Sequence, residues 1–387
     1  MKSFGHYFRY HFNSALLRGI IYLAAMLVIT FGEVSIRKHV TGINGDMVYT
    51  RVADFGAFPM YLVILSLIIP IFELNQFNNR RYLDTAYSLP ISRIKMTLAH
   101  WLTGVIHIFV ICAVCLLACF AILSPLENAR LIYLVPFGFL ELLLLICVYT
   151  ILSFFIVKTN TLFDAVAICG GWYAALALIF EFIDRIFGYT EYHVVQFEQP
   201  NAVWEWIVNF YGNTIEAWFD FSYKFESLIS NNKSVLILPN YYVMAIFTTL
   251  LCALAFVFLL WTSKKKKAHE AGGMTVSWIG YKTLIPLATV FYILMSEFNV
   301  RNFGANYIKG WEEINFFELF IPLGMFVAFV IYRRSLKIKR SDIIWISAIS
   351  VVVIVNMIYP SFITNSVIYL INPKYEKPRY LFFDKVY

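Results

Sequence analysis

Apolar runs of about twenty residues, recurring along almost the whole chain, limit what this sequence can fold into. In hydrocarbon every backbone N–H and C=O must be satisfied within the segment, and a helix of that length does so. Nine runs are predicted to span: about 19–36, 55–73, 97–123, 131–157, 161–183, 240–262, 282–297, 316–332 and 343–360, with bounds good to about 2–4 residues. The 387 residues are 60% hydrophobic and 14% charged, against about 25% charged in soluble domains. Such a surplus cannot be hidden in a soluble core. The runs are continuous, not alternating, which disfavours a β-barrel. The fold class read from this is an all-α polytopic membrane protein.

Orientation follows from the basic residues, which favour the cytoplasmic side. With the N-terminus inside, the inside segments hold Lys2, Arg9 and Arg18, then Arg80, Arg81, Arg93 and Lys95, then Lys158, then Lys264 to Lys267 and Lys282, then Arg333 to Arg340. The net charge of +7 is therefore topological and does not call for nucleic acid. The outer segment 184–238 is acidic and crowded with aromatics from Trp204 to Phe225, which suit a membrane interface. Lys2 to Leu17 reads as an amphipathic helix on the cytoplasmic surface, not as a cleavable signal. Four regions are expected: a bundle over 1–262, a basic connector over 263–282, further spans over 283–360 and an extracytoplasmic tail over 361–387. Cys112, Cys115, Cys119, Cys147, Cys169 and Cys252 all fall within apolar runs, which argues against a disulfide framework.

One charged island interrupts the apolar pattern: Phe72 to Thr97, FELNQFNNRRYLDTAYSLPISRIKMT. Its first half fits an amphipathic helix. Leu74, Phe77, Leu83 and Ala86 or Tyr87 fall on one side, with Arg80, Arg81 and Asp84 on the other. Pro90 breaks the pattern, and Ser92 is placed to cap the next helix.

The sequence carries no GxxxxGK[ST] phosphate loop, HExxH, GxSxG or paired CxxC. No nucleophile–base arrangement stands out, so no catalytic residue is expected on this chain. Glu181 lies near the end of the fifth predicted span, and His107, Glu141 and Asp164 lie within the third, fourth and fifth. A charge at membrane depth is costly and faces a bundle interior or a wet path, so the latter three form a possible translocation path. The competing readings are a helix cap for Asp164 and neutral, hydrogen-bonded states for the other two.

Arg80-Arg81, Leu83 and then Ser88-Leu89-Pro90-Ile91-Ser92-Arg93 resemble the ABC-2 type permeases, the membrane subunits of ABC transporters. The resemblance covers about residues 1–262 in hydropathy and about two dozen residues in motif. It implies a six-span bundle, here followed by about three additional spans. It also implies that the island contains a coupling helix that meets a separate ATPase subunit. The candidates for that surface are Arg80, Arg81, Asp84, Ser88, Pro90 and Arg93. The implied partners are ABC ATPase subunits and a second permease subunit, identical or not. ATP and Mg would sit on the ATPase, with no cofactor or metal here. The plasma membrane is the expected location and export the expected role. The chain departs from the family in Asn78 to Thr85, which lacks a Gly-Thr pair before Leu83. An ion-gradient carrier or channel, a peptide-sensing or resistance module, and a polytopic membrane enzyme are the alternatives.

Overall fold

The computed structural model describes residues 2–43, 46–125, 131–193, 238–273, 280–290, 320–333 and 339–358. The aromatic stretch from Trp204 to Phe225, parts of the seventh and eighth predicted spans and the tail lie outside these residues. The helices are α1 (Lys2–Glu33), α2 (Phe58–Leu74), α3 (Arg80–Tyr87), α4 (Arg93–Leu123), α5 (Leu134–Lys158), α6 (Leu162–His193) and α7 (Leu238–Lys265). Residues 281–290 form α8, followed by α9 (Phe320–Arg333) and α10 (Arg340–Ile358).

Among the described residues, five helices are long and apolar enough to cross a membrane: Phe4–Glu33, Phe58–Asn78, Arg93–Leu123, Leu134–Lys158 and Ala245–Lys265. They fall on predicted spans one to four and six. Shorter apolar stretches, Leu162–Leu176 and Ile321–Val330, fall on the fifth and eighth. Large apolar side chains such as Val28, Phe31, Leu117, Val135, Phe139 and Val257 are exposed on these helices. Lipid covers such surfaces; water would not tolerate them at this density. The chain thus has the character of a helical, membrane-embedded protein.

Two features depart from the sequence reading. The first is a β-hairpin between α1 and α2. Strands β1 (Ser35–Ile43) and β2 (Asp46–Asp54) pair antiparallel, from Ser35 opposite Asp54 to Ile43 opposite Asp46. The all-α expectation missed this element, and the first span accordingly stops at Glu33. Its signals are β-branched residues (Ile36, Val40, Thr41, Val48, Val52) around Asn44-Gly45, the dipeptide most favoured between hairpin strands. The second is that α1 runs unbroken from Lys2 to Glu33. The N-terminal segment is the first turns of the spanning helix, not a separate surface helix.

The hairpin is closed by carboxylates. Gly56 N–H donates to Asp54 Oδ1 (3.0 Å) and Ala57 N–H to Glu33 Oε2 (3.1 Å), so the start of α2 is tied to the end of α1. Gly56 has φ +51°, a conformation that costs a residue with a Cβ about 1–2 kcal/mol. Pro59 then opens α2, where its missing N–H costs nothing.

The chain divides into two compact units. In residues 1–169 and 201–275, α1, α2, α5 and α7 surround α4 and one another. Their core joins Met26, Phe58, Leu62, Ile108, Ile111 and Leu145 to Cys112, Cys115 and Cys119, all buried. Phe55 and Phe137 stack at 5.3 Å. In residues 170–200 and 276–387, Met325 and Phe329 of α9 pack on Ile349 and Val353 of α10.

Candidate functional site

The island becomes a short helix held between two turns. After α2, a 3-10 turn (Asn75–Asn78) leads to Asn79, whose side chain accepts from Arg81 N (3.0 Å) and Tyr82 N (3.4 Å) and so caps α3. Ser88 Oγ donates to Thr85 O (2.7 Å) at the other end, and Ser92 Oγ accepts from Lys95 N (3.4 Å) to cap α4. Leu74, Phe77, Leu83 and Ala86 are buried, as the amphipathic pattern predicts. Arg80, Arg81, Asp84, Ser88 and Pro90 are exposed. The Arg80–Asp84 pair, at 3.9 Å with both side chains more than 60% exposed, contributes little to stability.

Arg93 is used differently from the other candidates. Its Nη1 donates to Lys266 O (2.6 Å), and its guanidinium lies 4.5 Å over the Tyr87 ring. Burial pushes the Tyr87 phenol above its ordinary value, and Arg93 opposes that shift. Lys266 itself is 4% exposed, although it directly follows α7 within a run of four lysines. Its Nζ donates to Thr159 O and Asn160 Oδ1 in the turn between α5 and α6. Gly272 N–H donates to Asn160 O (2.7 Å). The Asn78 amide lies against Ile156 O (3.2 Å) and Thr159 O (2.9 Å) at the end of α5, and it donates to both when its nitrogen is assigned to the side facing these two carbonyls. The 3-10 turn Ala268–Glu270 packs directly on α3. Three segments remote in sequence are thus sewn together around α3. Desolvation lowers the Lys266 pKa from 10.5 to about 8, Glu270 acting to raise it.

Beneath α3 lies a buried ionic cluster centred on Glu73, at the last turn of α2. Glu73 is fully buried. Its Oε2 accepts from His11 Nε2 (3.2 Å) and Arg18 Nη2 (3.0 Å) of α1. Its Oε1 lies 3.9 Å from His107 Nδ1 of α4. Its backbone oxygen is 2.9 Å from His100 Nδ1. A carbonyl only accepts, so Nδ1 of His100 carries a hydrogen, and in the neutral ring Nε2 is the acceptor. Tyr7 OH sits 3.0 Å from that Nε2 and 3.1 Å from Tyr82 OH. A directed chain therefore runs from Tyr82 on α3 through Tyr7 and His100 to Glu73. The His11 and His100 rings lie 3.7 Å apart, too close for both to be charged without a large repulsion. Gly19 permits the arrangement: a Cβ there would lie 2.7 Å from His107 Nε2.

The three candidates for a translocation path occupy different surroundings. His107 faces Glu73. Glu141 is 1% exposed in α5, beside Cys112, and neither oxygen has a hydrogen-bond partner among the described residues. Asp164 is buried in the first turn of α6, and its N–H donates to Thr161 Oγ1 (3.1 Å). Glu141 precedes the end of α5 by enough turns to lie about 25 Å along the axis from that turn. The six cysteines are free thiols, and no group of three metal-ligating residues occurs among the described residues.

Sequence reasoning missed Glu73, His11, His100 and Lys266. Glu73 had one signal, a carboxylate in the last turn of an apolar run. The others look like ordinary polar residues of a helix end or a basic loop. Compared with known proteins, the chain matches no family model, no curated protein and no solved structure.

Proposed function

We propose that this chain is the permease subunit of an ABC-type transporter, gripped at α3 by a separate ATPase and moving a substrate across the plasma membrane, in the export direction. One observation carries the reading: α3 exposes a polar face while its other face is anchored to several long helices. Leu83 and Ala86 are buried, Tyr82 is linked to α1 and α4, and Asn78 and the 266–273 connector hold its flanks. An element built this way transmits a push to the helices beneath it, and bistable helix packing converts the push into rocking. The motif around Ser88–Arg93 supports the same reading. ATP and Mg would be bound by the partner, and a second permease subunit would complete the path.

Arg80, Arg81, Asp84, Ser88 and Pro90 form the docking face in this account. Arg93, also exposed, fastens the connector through Lys266 O. The alternative that draws on a specific observation is an ion-gradient carrier, favoured by the buried Glu73–His107 pair. The two readings separate on the partner. Purification of the tagged chain from its native membrane in mild detergent should recover an ATPase with phosphate-loop motifs. Recovery of the chain alone, with transport retained in ATP-free vesicles, contradicts the permease reading.

A further inference from the structure

The cluster around Glu73 contains more polar atoms than its own contacts satisfy. Glu73 Oε1, both ring nitrogens of His107, Arg18 Nε and Tyr22 OH are all buried without a hydrogen-bond partner among the described residues. Each such group is costly if left unpaired. They converge from three helices. His107 Nδ1 lies 3.9 Å from Glu73 Oε1, the Tyr22 and His107 ring centroids are 6.3 Å apart, and Arg18 already holds the other Glu73 oxygen. The 3.9 Å separation is too long for a direct hydrogen bond. A water about 2.8 Å from both atoms would subtend an angle of roughly 90°, within the range of water bridges. A metal ion is a poor occupant, because no three ligating side chains converge among the described residues.

We propose that Glu73, His107, Arg18 and Tyr22 form a buried water-binding site that holds one exchangeable proton, shared between His107 and the Glu73 carboxylate. Uptake adds a proton to His107 through the bound water and leaves an imidazolium beside the carboxylate. Release returns that proton to the water, and no bonds other than N–H and O–H change. The remaining groups around the site set its charge balance. From α1 these are His11, Arg18, Tyr7 and Tyr22. From α4 they are His100 and His107, from α3 Tyr82 and from α5 Tyr149. Arg18 and Glu73 cancel, so one further proton is accommodated without a net charge beyond +1. The Glu73 backbone carbonyl joins the site to the His100–Tyr7–Tyr82 chain and so to α3, while the carboxylate itself accepts from His11. The site does not depend on an ATPase partner, so its test can fail while the transporter reading stands.

The test uses the full chain, labelled with nitrogen-15 histidine and reconstituted in phospholipid bilayers. Water-edited solid-state NMR reads the transfer of magnetisation from water to each imidazole. Single His→Asn substitutions assign the signals. His107 should receive magnetisation within about threefold of the rate for the exposed His269. It should change protonation between pH 5 and 9, with a midpoint that moves in Glu73→Gln. Tyr22→Phe, which removes one hydroxyl, should slow the transfer about twofold and serves as the variant if Glu73→Gln does not fold. A dry His107, with transfer as slow as for span backbone amides, overturns the proposal. So does a His107 that keeps one protonation state across the whole pH range.

Discussion

Glu73 and Glu141 are both carboxylates buried among the helices of the first unit, and they are treated in opposite ways. Around Glu73, α1 supplies His11 and Arg18 and α4 supplies His100 and His107. Around Glu141, no hydrogen-bond donor approaches either oxygen among the described residues. Position within an apolar run does not separate the two, since Glu141 sits deeper in its run than Glu73. The difference lies in what neighbouring helices bring. Glu73 is an ionic keystone beside the proposed coupling helix, whereas Glu141 is a lone group whose neutral form suits its apolar walls.

That contrast can be broken by substitution. Glu73→Leu removes the acceptor for the half-buried Arg18 and for the buried His11. Loss of one partner from a buried pair costs about 3–5 kcal/mol. We expect a strong drop in the thermal midpoint, measured by tryptophan fluorescence in detergent. A change of less than about 1 kcal/mol would remove the keystone role.

Lys266 lies between the two extremes, a buried cation held by backbone and amide oxygens. Its folded pKa, about 8, lies below the ordinary 10.5. Between those values the folded chain holds fewer protons than the unfolded one, so this group's contribution to stability rises with pH across that window. The thermal midpoint of the wild type relative to Lys266→Met should therefore climb by roughly 1–3 °C from pH 7.5 to 10. A flat or falling difference would mean that Lys266 reaches water in solution.

The smallest effect belongs to Glu141. Glu141→Gln should change stability by less than about 1 kcal/mol, and Glu141→Leu should be neutral or stabilising, because an unpaired polar group is removed. A cost above about 3 kcal/mol would show a partner for Glu141 and bring the two carboxylates back into one class.

What was legible in the sequence was local. The burial of Leu74, Phe77, Leu83 and Ala86, the exposure of Arg80 and Asp84 and the Ser92 cap all follow from helical spacing within the island. The Glu73 cluster was not legible, because its members lie 62, 55 and 34 positions away in the chain, and only helix packing decides which of them meet. Lys266 was hidden for a related reason. In a run of four lysines nothing local marks the one whose carbonyl and ammonium both face inward. The hairpin does have a local signal in Asn44-Gly45, but the long apolar runs on either side dominate the pattern.

The central claim is that the exposed face of α3 is where a motor subunit holds this chain. Charge reversal of that face, Arg80→Glu with Arg81→Glu, touches no buried contact and should leave the fold intact. The direct measurement is the yield of ATPase that copurifies with the tagged double variant relative to wild type. The account predicts a loss of at least about tenfold, equivalent to about 1.4 kcal/mol, at an unchanged thermal midpoint. Equal yields from the two proteins would contradict it.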